Sequence, residues 1–68
     1  MQREQGIIKK LYSVRHFGFI GRAGKQDLFF HLSDVRGGAE IREGGRVEFS
    51  ITADQAGRPR ASGVEVLL

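Results

Sequence analysis

The sequence predicts an all-β protein, a single five-stranded antiparallel Greek-key β-barrel. Short apolar runs alternate hydrophobic and polar residues with the two-residue period of a strand. Ten glycines in 68 residues lie mostly between these runs, which is typical of a chain with many turns and little helix. Five short strands with unpaired edges invite aggregation, and closure into a barrel removes the edges.

Each element follows from a local pattern, and together they fit one small domain over residues 1–68. The five strands are expected at Gly6–Tyr12, His16–Arg22, Gln26–Leu32, Arg46–Thr52 and Arg60–Leu67. Ala23–Lys25 fits a tight hairpin connection. Ser33–Val35 fits one helical turn with Ser33 as its N-cap. The longest connection, Arg36–Gly45, is rich in glycine and charge. A barrel of the oligonucleotide-binding (OB) type accounts for these elements, with a small SH3-like barrel as the alternative.

The second and third strands carry the most informative residues. One face of these strands supplies the expected core residues Ile20, Leu28, Phe30 and Leu32, and the fourth strand adds Phe49. The other face, by strand alternation, directs outward Phe17, Phe19, Phe29 and His31. Soluble proteins rarely expose several phenylalanines together without a ligand for them. Flat rings stack well on unpaired bases, so this face is predicted to bind single-stranded nucleic acid.

Basic charge is concentrated near these rings. Eleven Lys and Arg against eight Asp and Glu give a net charge of only +3, but residues 9–25 contain five cations and no acid. Cations beside a row of rings are typical of a groove that follows a nucleic-acid backbone. The candidate phosphate contacts are Lys9, Lys10 and Arg15, with Arg58 and Arg60 flanking the only proline.

Other function classes fit the composition poorly. There is no cysteine, and two histidines with scattered carboxylates do not form a metal-ligand pattern. No phosphate-binding glycine loop and no convincing nucleophilic triad is present. We therefore expect no catalytic activity, no cofactor, no metal and no small-molecule substrate. No apolar run approaches the length of a membrane span, and the polar residues 1–5 do not suit a signal peptide. A cytoplasmic protein, monomeric rather than dimeric, is expected.

Several motifs resemble the cold-shock domain along nearly the whole chain. Residues 15–20, Arg-His-Phe-Gly-Phe-Ile, are similar to the family's first ribonucleoprotein motif, Lys-Gly-Phe-Gly-Phe-Ile. Residues 28–33, Leu-Phe-Phe-His-Leu-Ser, are similar to the second, Val-Phe-Val-His-Phe-Ser. Residues 6–12, 43–49 and 58–64 match the opening, later and closing patterns. The resemblance implies an OB-fold barrel, binding of single-stranded RNA or DNA, and an RNA-chaperone or transcript-level role.

The chain departs from the family's pattern at specific positions. Lys10 stands where the family has an exposed Trp, and Leu11 where it has a Phe. Tyr12 replaces an Asn, His16 replaces the Gly before the first Phe, and Leu32 replaces a Phe. Strand position alone suggests that Tyr12 covers a barrel end, and it leaves the direction of His16 undetermined.

Three alternatives remain open from the sequence. The barrel is a protein-interaction or accessory domain if the altered face contacts a protein instead. Duplex binding is a second rival to the single-stranded mode. Asp27 suits either a hydrogen bond to a base edge or the stabilisation of a turn.

Overall fold

Five strands and two 3₁₀ turns follow one another in the computed structural model, which describes residues 3–36 and 40–67. The elements are β1 (Glu4–Tyr12), a first 3₁₀ turn (Ser13–Arg15), β2 (Phe17–Arg22), β3 (Lys25–His31), a second 3₁₀ turn (Leu32–Asp34), β4 (Arg46–Ala53) and β5 (Pro59–Val66). All five strands lie where alternation predicts them, with ends displaced by at most two residues. In the described part of the chain, no helix has the length and apolar character needed to span a membrane.

The strands close into a barrel in the order β1-β2-β3-β5-β4. Four of the five pairings are antiparallel, and the pairing of β3 with β5 at Phe29 and Arg60 is parallel. The predicted five-stranded barrel is confirmed, and the SH3-like alternative is not needed. The parallel seam has a simple reason: five strands in a closed ring cannot alternate direction at every pairing.

The core lies inside the barrel and contains only apolar side chains among the described buried residues. Its members are Ile8, Ile20, Leu28, Phe30, Val47, Phe49, Ala61 and Val64. Phe30 and Phe49 are fully enclosed, as predicted. Leu32 differs from the prediction, because it lies in the second 3₁₀ turn and packs half-buried against the core.

The two 3₁₀ turns bring His16 and His31 to the same end of the barrel. His16 ends the first turn in the left-handed conformation, with φ 63° and ψ 32°, and does not begin β2 as expected. His31, rather than the predicted Ser33, caps the second turn, where its Nδ1 accepts the Ser33 amide N–H at 3.1 Å. The cap lies two residues earlier than predicted, because the turn spans Leu32–Asp34 and His31 precedes its first residue.

A β-bulge divides β1 into two halves. The register shifts between Ile8 and Lys10, so that Lys9 is the extra residue. The first half pairs with β4, and the second half pairs with β2 only. The edge of this second half that faces away from β2 has no strand partner among the residues that the structure describes. There the Glu43 carboxylate accepts the Leu11 amide N–H at 3.0 Å. This contact satisfies a backbone donor that an unpaired edge would otherwise expose.

The β4–β5 connection is organised around the carboxylate of Asp54. Its Oδ1 accepts the backbone N–H groups of Ala56 and Arg58, both at 2.9 Å. Its Oδ2 accepts the Arg58 Nε–H at 3.2 Å. The backbone hydrogen bond from Arg58, followed by the one from Ala56, holds the pKa of Asp54 below its ordinary value of 3.8. The same carboxylate thus shapes the turn and orients Arg58.

Replacing Gly18 with Ala is expected to destabilise the barrel by about 1–3 kcal/mol, the usual cost of overpacking a core. A Cβ at Gly18 would lie 2.6 Å from the Lys10 carbonyl oxygen and 2.9 Å from the Phe30 ring. The matched control is Gly21→Ala in the same strand, where the nearest contact, to Lys9, is an ordinary 3.6 Å. Urea unfolding checks both variants; equal stabilities would contradict this account of Gly18.

Asp54→Asn is expected to reduce stability at neutral pH and to matter less as the solution is acidified. Because the folded-state pKa of Asp54 lies below 3.8, the ionised carboxylate stabilises the folded state above that pH. This contribution is lost as pH falls through the folded-state value. The difference between the urea midpoints of wild type and variant should therefore be smaller at about pH 3 than at about pH 7. A difference that stays constant over this range would contradict the assigned role.

Candidate nucleic-acid interface

The outer surface of β1, β2 and β3 carries a group of rings that we call the aromatic face. It consists of Tyr12, Phe17, Phe19, Phe29 and His31. Directly opposed residues of paired strands project on the same side of a sheet. The register therefore forms two rows across the strands. One row is Tyr12–Phe17–His31, and the other is Lys10–Phe19–Phe29–Arg60.

The three phenylalanines predicted to lie together do so. Phe17 and Phe29 stack with centroids 5.5 Å apart, and Phe19 meets each of them edge-on, at 5.9 and 6.0 Å. Aromatic pairs favour both arrangements. The rings are half-buried rather than fully exposed, because each covers part of its neighbours. The outcome is one continuous apolar surface, and Gly18 and Phe30 lie on the opposite, inner face as the alternation requires.

Tyr12 belongs to this surface, which the sequence did not indicate. Its ring stacks on Phe17 with centroids 5.0 Å apart and meets Phe19 edge-on at 6.5 Å. The side chain is 43% exposed. The interpretation of Tyr12 as cover for a barrel end was wrong, because the bulge at Lys9 reverses the alternation in the second half of β1.

His31 shares the face with the phenylalanines, as predicted. It lies directly opposite Phe17, and its Nδ1 is within 2.8 Å of the Ser33 hydroxyl as well as the Ser33 amide. The His16 ring lies nearby, nearly parallel to that of His31, with centroids 6.5 Å apart and planes at 15°. The structure thus settles the direction of His16, which points to the same end of the face.

The candidate cations divide into two classes. Lys10 and Arg15 are exposed, and neither forms an ion pair with a described residue. Lys10 lies opposite Phe19 on the face, and Arg15 immediately precedes His16. Lys9, by contrast, contacts Asp27, with Nζ 3.4 Å from Oδ2. Uncompensated positive charge near the rings is therefore concentrated at Lys10 and Arg15.

Arg60 and Arg58 lie at the β5 side and are both paired. The Arg60 guanidinium contacts the Asp34 carboxylate and lies 6.0 Å from the centre of the Phe29 ring, within cation–π range. Arg58 pairs with Asp54 at 3.2 Å and remains 79% exposed. These contacts orient the two guanidinium groups beside the rings while offsetting part of their charge.

A groove of about 460 Å³ opens beside the second row of the face. Its lining includes Phe19, Phe29, Asp27, Asp54 and Arg58. The groove thus combines two ring surfaces with two carboxylates, the Gln26 side chain and one guanidinium. A planar polar group that stacks on a ring can also form hydrogen bonds there. Within residues 3–36 and 40–67, no group of three or more metal-ligating side chains comes together.

Comparison with known proteins places these features in a family. Residues 4–67 match the family described as the 'Cold-shock' DNA-binding domain. The cold shock-like protein CspC of Bacillus cereus is 39% identical over 62 residues, covering 88% of this chain and 94% of that protein. Cold shock domain-containing protein 4 of Arabidopsis thaliana is 37% identical over 62 residues, and the match spans 31% of its length.

A solved structure also resembles this barrel. The fly chain described as drosophila Unr CSD456 superimposes with a TM-score of 0.83 at 33% identity, covering 98% of this chain and 27% of that one. The chain therefore spans about a third or less of these two longer relatives, and nearly the full length of the bacterial one. The barrel order, the two ring motifs and the family match agree: this chain belongs to the cold-shock domain family.

Proposed function

We propose that this domain binds single-stranded RNA or DNA on the aromatic face. The observation that carries the proposal is the two-row arrangement of rings across β1, β2 and β3, which presents several stacking surfaces on one side of the barrel. Bases of a single strand are free to stack on such rings, whereas bases within a duplex are already stacked and paired. The family to which the chain belongs is described as DNA-binding.

The positions of the cations fit a nucleic-acid backbone that runs along the edges of the aromatic face. Lys10 lies at the β1 end of one row, and Arg15 precedes the ring-bearing strand β2. Arg58 and Arg60 lie at the β5 side. A strand whose bases contact the rings would bring its phosphates near these cations. Phosphate contacts fix position without reading sequence, so we expect recognition that tolerates most sequences.

Binding of this kind suggests a role as an RNA chaperone or a regulator acting on transcripts. A face that holds bases unstacked from one another lowers the free energy of the unpaired strand relative to the paired one. Such an effect requires affinity for single strands and no nucleotide hydrolysis. The proposed activity is therefore binding alone.

Removal of one ring should weaken binding strongly. Phe17→Ala or Phe29→Ala is expected to lose about 1–3 kcal/mol of binding free energy, the usual value of one base–ring stack. The readout is the emission of Tyr12, because the chain has one tyrosine and no tryptophan. Titration with an oligothymidine or oligouridine of about eight nucleotides at low salt gives the affinity.

The matched control for that titration is Ile51→Ala on β4, which removes a 39% exposed apolar side chain outside the aromatic face. It should bind like the wild type, and thermal unfolding confirms that each variant is folded. Wild-type affinity in both phenylalanine variants would contradict the proposal. Absence of binding by the wild-type domain at about 100 μM, or about −5.5 kcal/mol, would favour a protein-interaction domain. Equal competition by a blunt hairpin would favour duplex binding.

Salt dependence should identify the phosphate contacts. If about 3–5 phosphates are neutralised, log K falls against log salt with a slope of about −2 to −3.5 for a single strand. Lys10→Gln or Arg15→Gln should make that slope shallower by about 0.7. Arg46→Gln is the control, since it removes the same charge from a residue that pairs with Ile7 on the β1–β4 side. A slope unchanged by Lys10→Gln and Arg15→Gln would refute the assigned contacts.

A further inference from the structure

The backbone at His16 adopts a conformation that suits glycine better than histidine. Its φ of 63° is the one positive value among the described non-glycine residues. The cold-shock domain resemblance has glycine here. Histidine tolerates this region better than most side chains but still less well than glycine. A side chain kept in a costly conformation is a reason to look for a function.

Hydrogen bonds on both sides fix the position of His16. Its backbone N–H donates to the Ser13 carbonyl at 3.2 Å, and its own carbonyl accepts the Leu32 N–H at 2.8 Å. The next residue, Phe17, lies directly opposite His31. The first and second 3₁₀ turns are thereby linked, and the two histidines are held as neighbours at one end of the aromatic face.

The two imidazole rings are nearly parallel and close together. Their planes are inclined by 15° and their centroids are 6.5 Å apart. Contacting aromatic carbons lie about 3.5–4.0 Å apart, so two parallel rings that enclose another are separated by about 7–8 Å. The centroid distance is an upper limit on the separation of the ring planes, so a base enters between them when the exposed His16 side chain rotates outward by about 1 Å. His16 is exposed and His31 half-buried, so the site is open to solvent.

The His31 ring is held in place by its own turn. Nδ1 accepts the Ser33 amide N–H, which in the neutral imidazole puts the proton on Nε2. Nε2–H is then available as a donor to a base edge. Arg15 precedes His16 in the chain, and it is exposed and has no ion-pair partner among the described residues.

We propose that His16 and His31 form a clamp that holds one unpaired base between their rings. The clamp rests on the proposed single-strand binding and extends it, since it adds a stacking site beyond the Tyr12–Phe17–His31 row. It requires His16 specifically, a residue outside the ring set that the sequence predicted. The occupant is a planar nucleobase, and its contact with the clamp is stacking rather than charge.

The decisive variant is His16→Gly, because stability and affinity should respond in different directions. Glycine relieves the left-handed conformation, so resistance to urea should be equal to or greater than that of the wild type. Affinity for oligothymidine of about eight nucleotides should fall about fivefold or more, the effect of one lost stack. His16→Asn, which also tolerates this backbone region but has no ring, should lose affinity similarly. The titrations are made at the same pH, about pH 8, for all variants.

Two further readouts separate a clamp from a charge contact. In NMR titrations the ring protons of both histidines should move upfield as a base stacks on them, and His31→Ala should abolish the shift at His16. The salt slope of His16→Gly should equal that of the wild type, because a neutral stack releases no counterions.

Unchanged affinity in His16→Gly, alongside weakened Phe17→Ala, would overturn the clamp and leave the proposed function standing. A salt slope shallower by about 0.7, without upfield ring shifts, would also overturn it. If neither Phe17→Ala nor Phe29→Ala weakens binding, the proposed function fails and the clamp fails with it.

Discussion

The pairing of β2 with β3 is the constraint on which both the core and the aromatic face depend. Gly18 lies opposite Phe30 on the inner side, while Phe19 lies opposite Phe29 on the outer side. A slip of one residue in either strand would exchange these sides. The inner side holds the register, because the Phe30 ring occupies the space that a side chain at Gly18 would need. The rings outside are therefore aligned by packing inside the barrel.

Period-two alternation was enough to predict this arrangement, since the regular part of each strand obeys it. It correctly separated Phe29 from Phe30 and placed Phe49 inside. It failed at Tyr12, because a bulge adds one residue and reverses the sides after Lys9. Strict alternation from the buried Ile8 would have turned Tyr12 inward. Nothing in the local residue pattern marks the bulge, which depends on how β1 leaves β4 and continues along β2.

The distribution of charge around the aromatic face could also be predicted only in part from the sequence. Clustering along the chain correctly pointed to cations near the rings, but it did not reveal their partners. Arg60 contacts Asp34, and Lys9 contacts Asp27, both through tertiary folding rather than local spacing. Such pairs reduce the net attraction available to a phosphate, since the cation already has a neighbouring carboxylate. In the proposed mode of binding, stacking would therefore contribute a larger share of the affinity than the cation count alone suggests.

The departures from the cold-shock pattern change where rings and positive charges lie on the aromatic face. Lys10 removes an exposed ring from one row, yet Tyr12 adds one to the neighbouring row and stacks on Phe17. His16 adds another at the end of the same row, beside His31. Tyr12 and His16 thus add rings beside the first 3₁₀ turn, whereas Leu32 removes one at the second turn, and Lys10 contributes charge where a ring is absent. A strand bound here would find its stacking partners concentrated at the turn end of the barrel and its electrostatic attraction at the Lys10 margin.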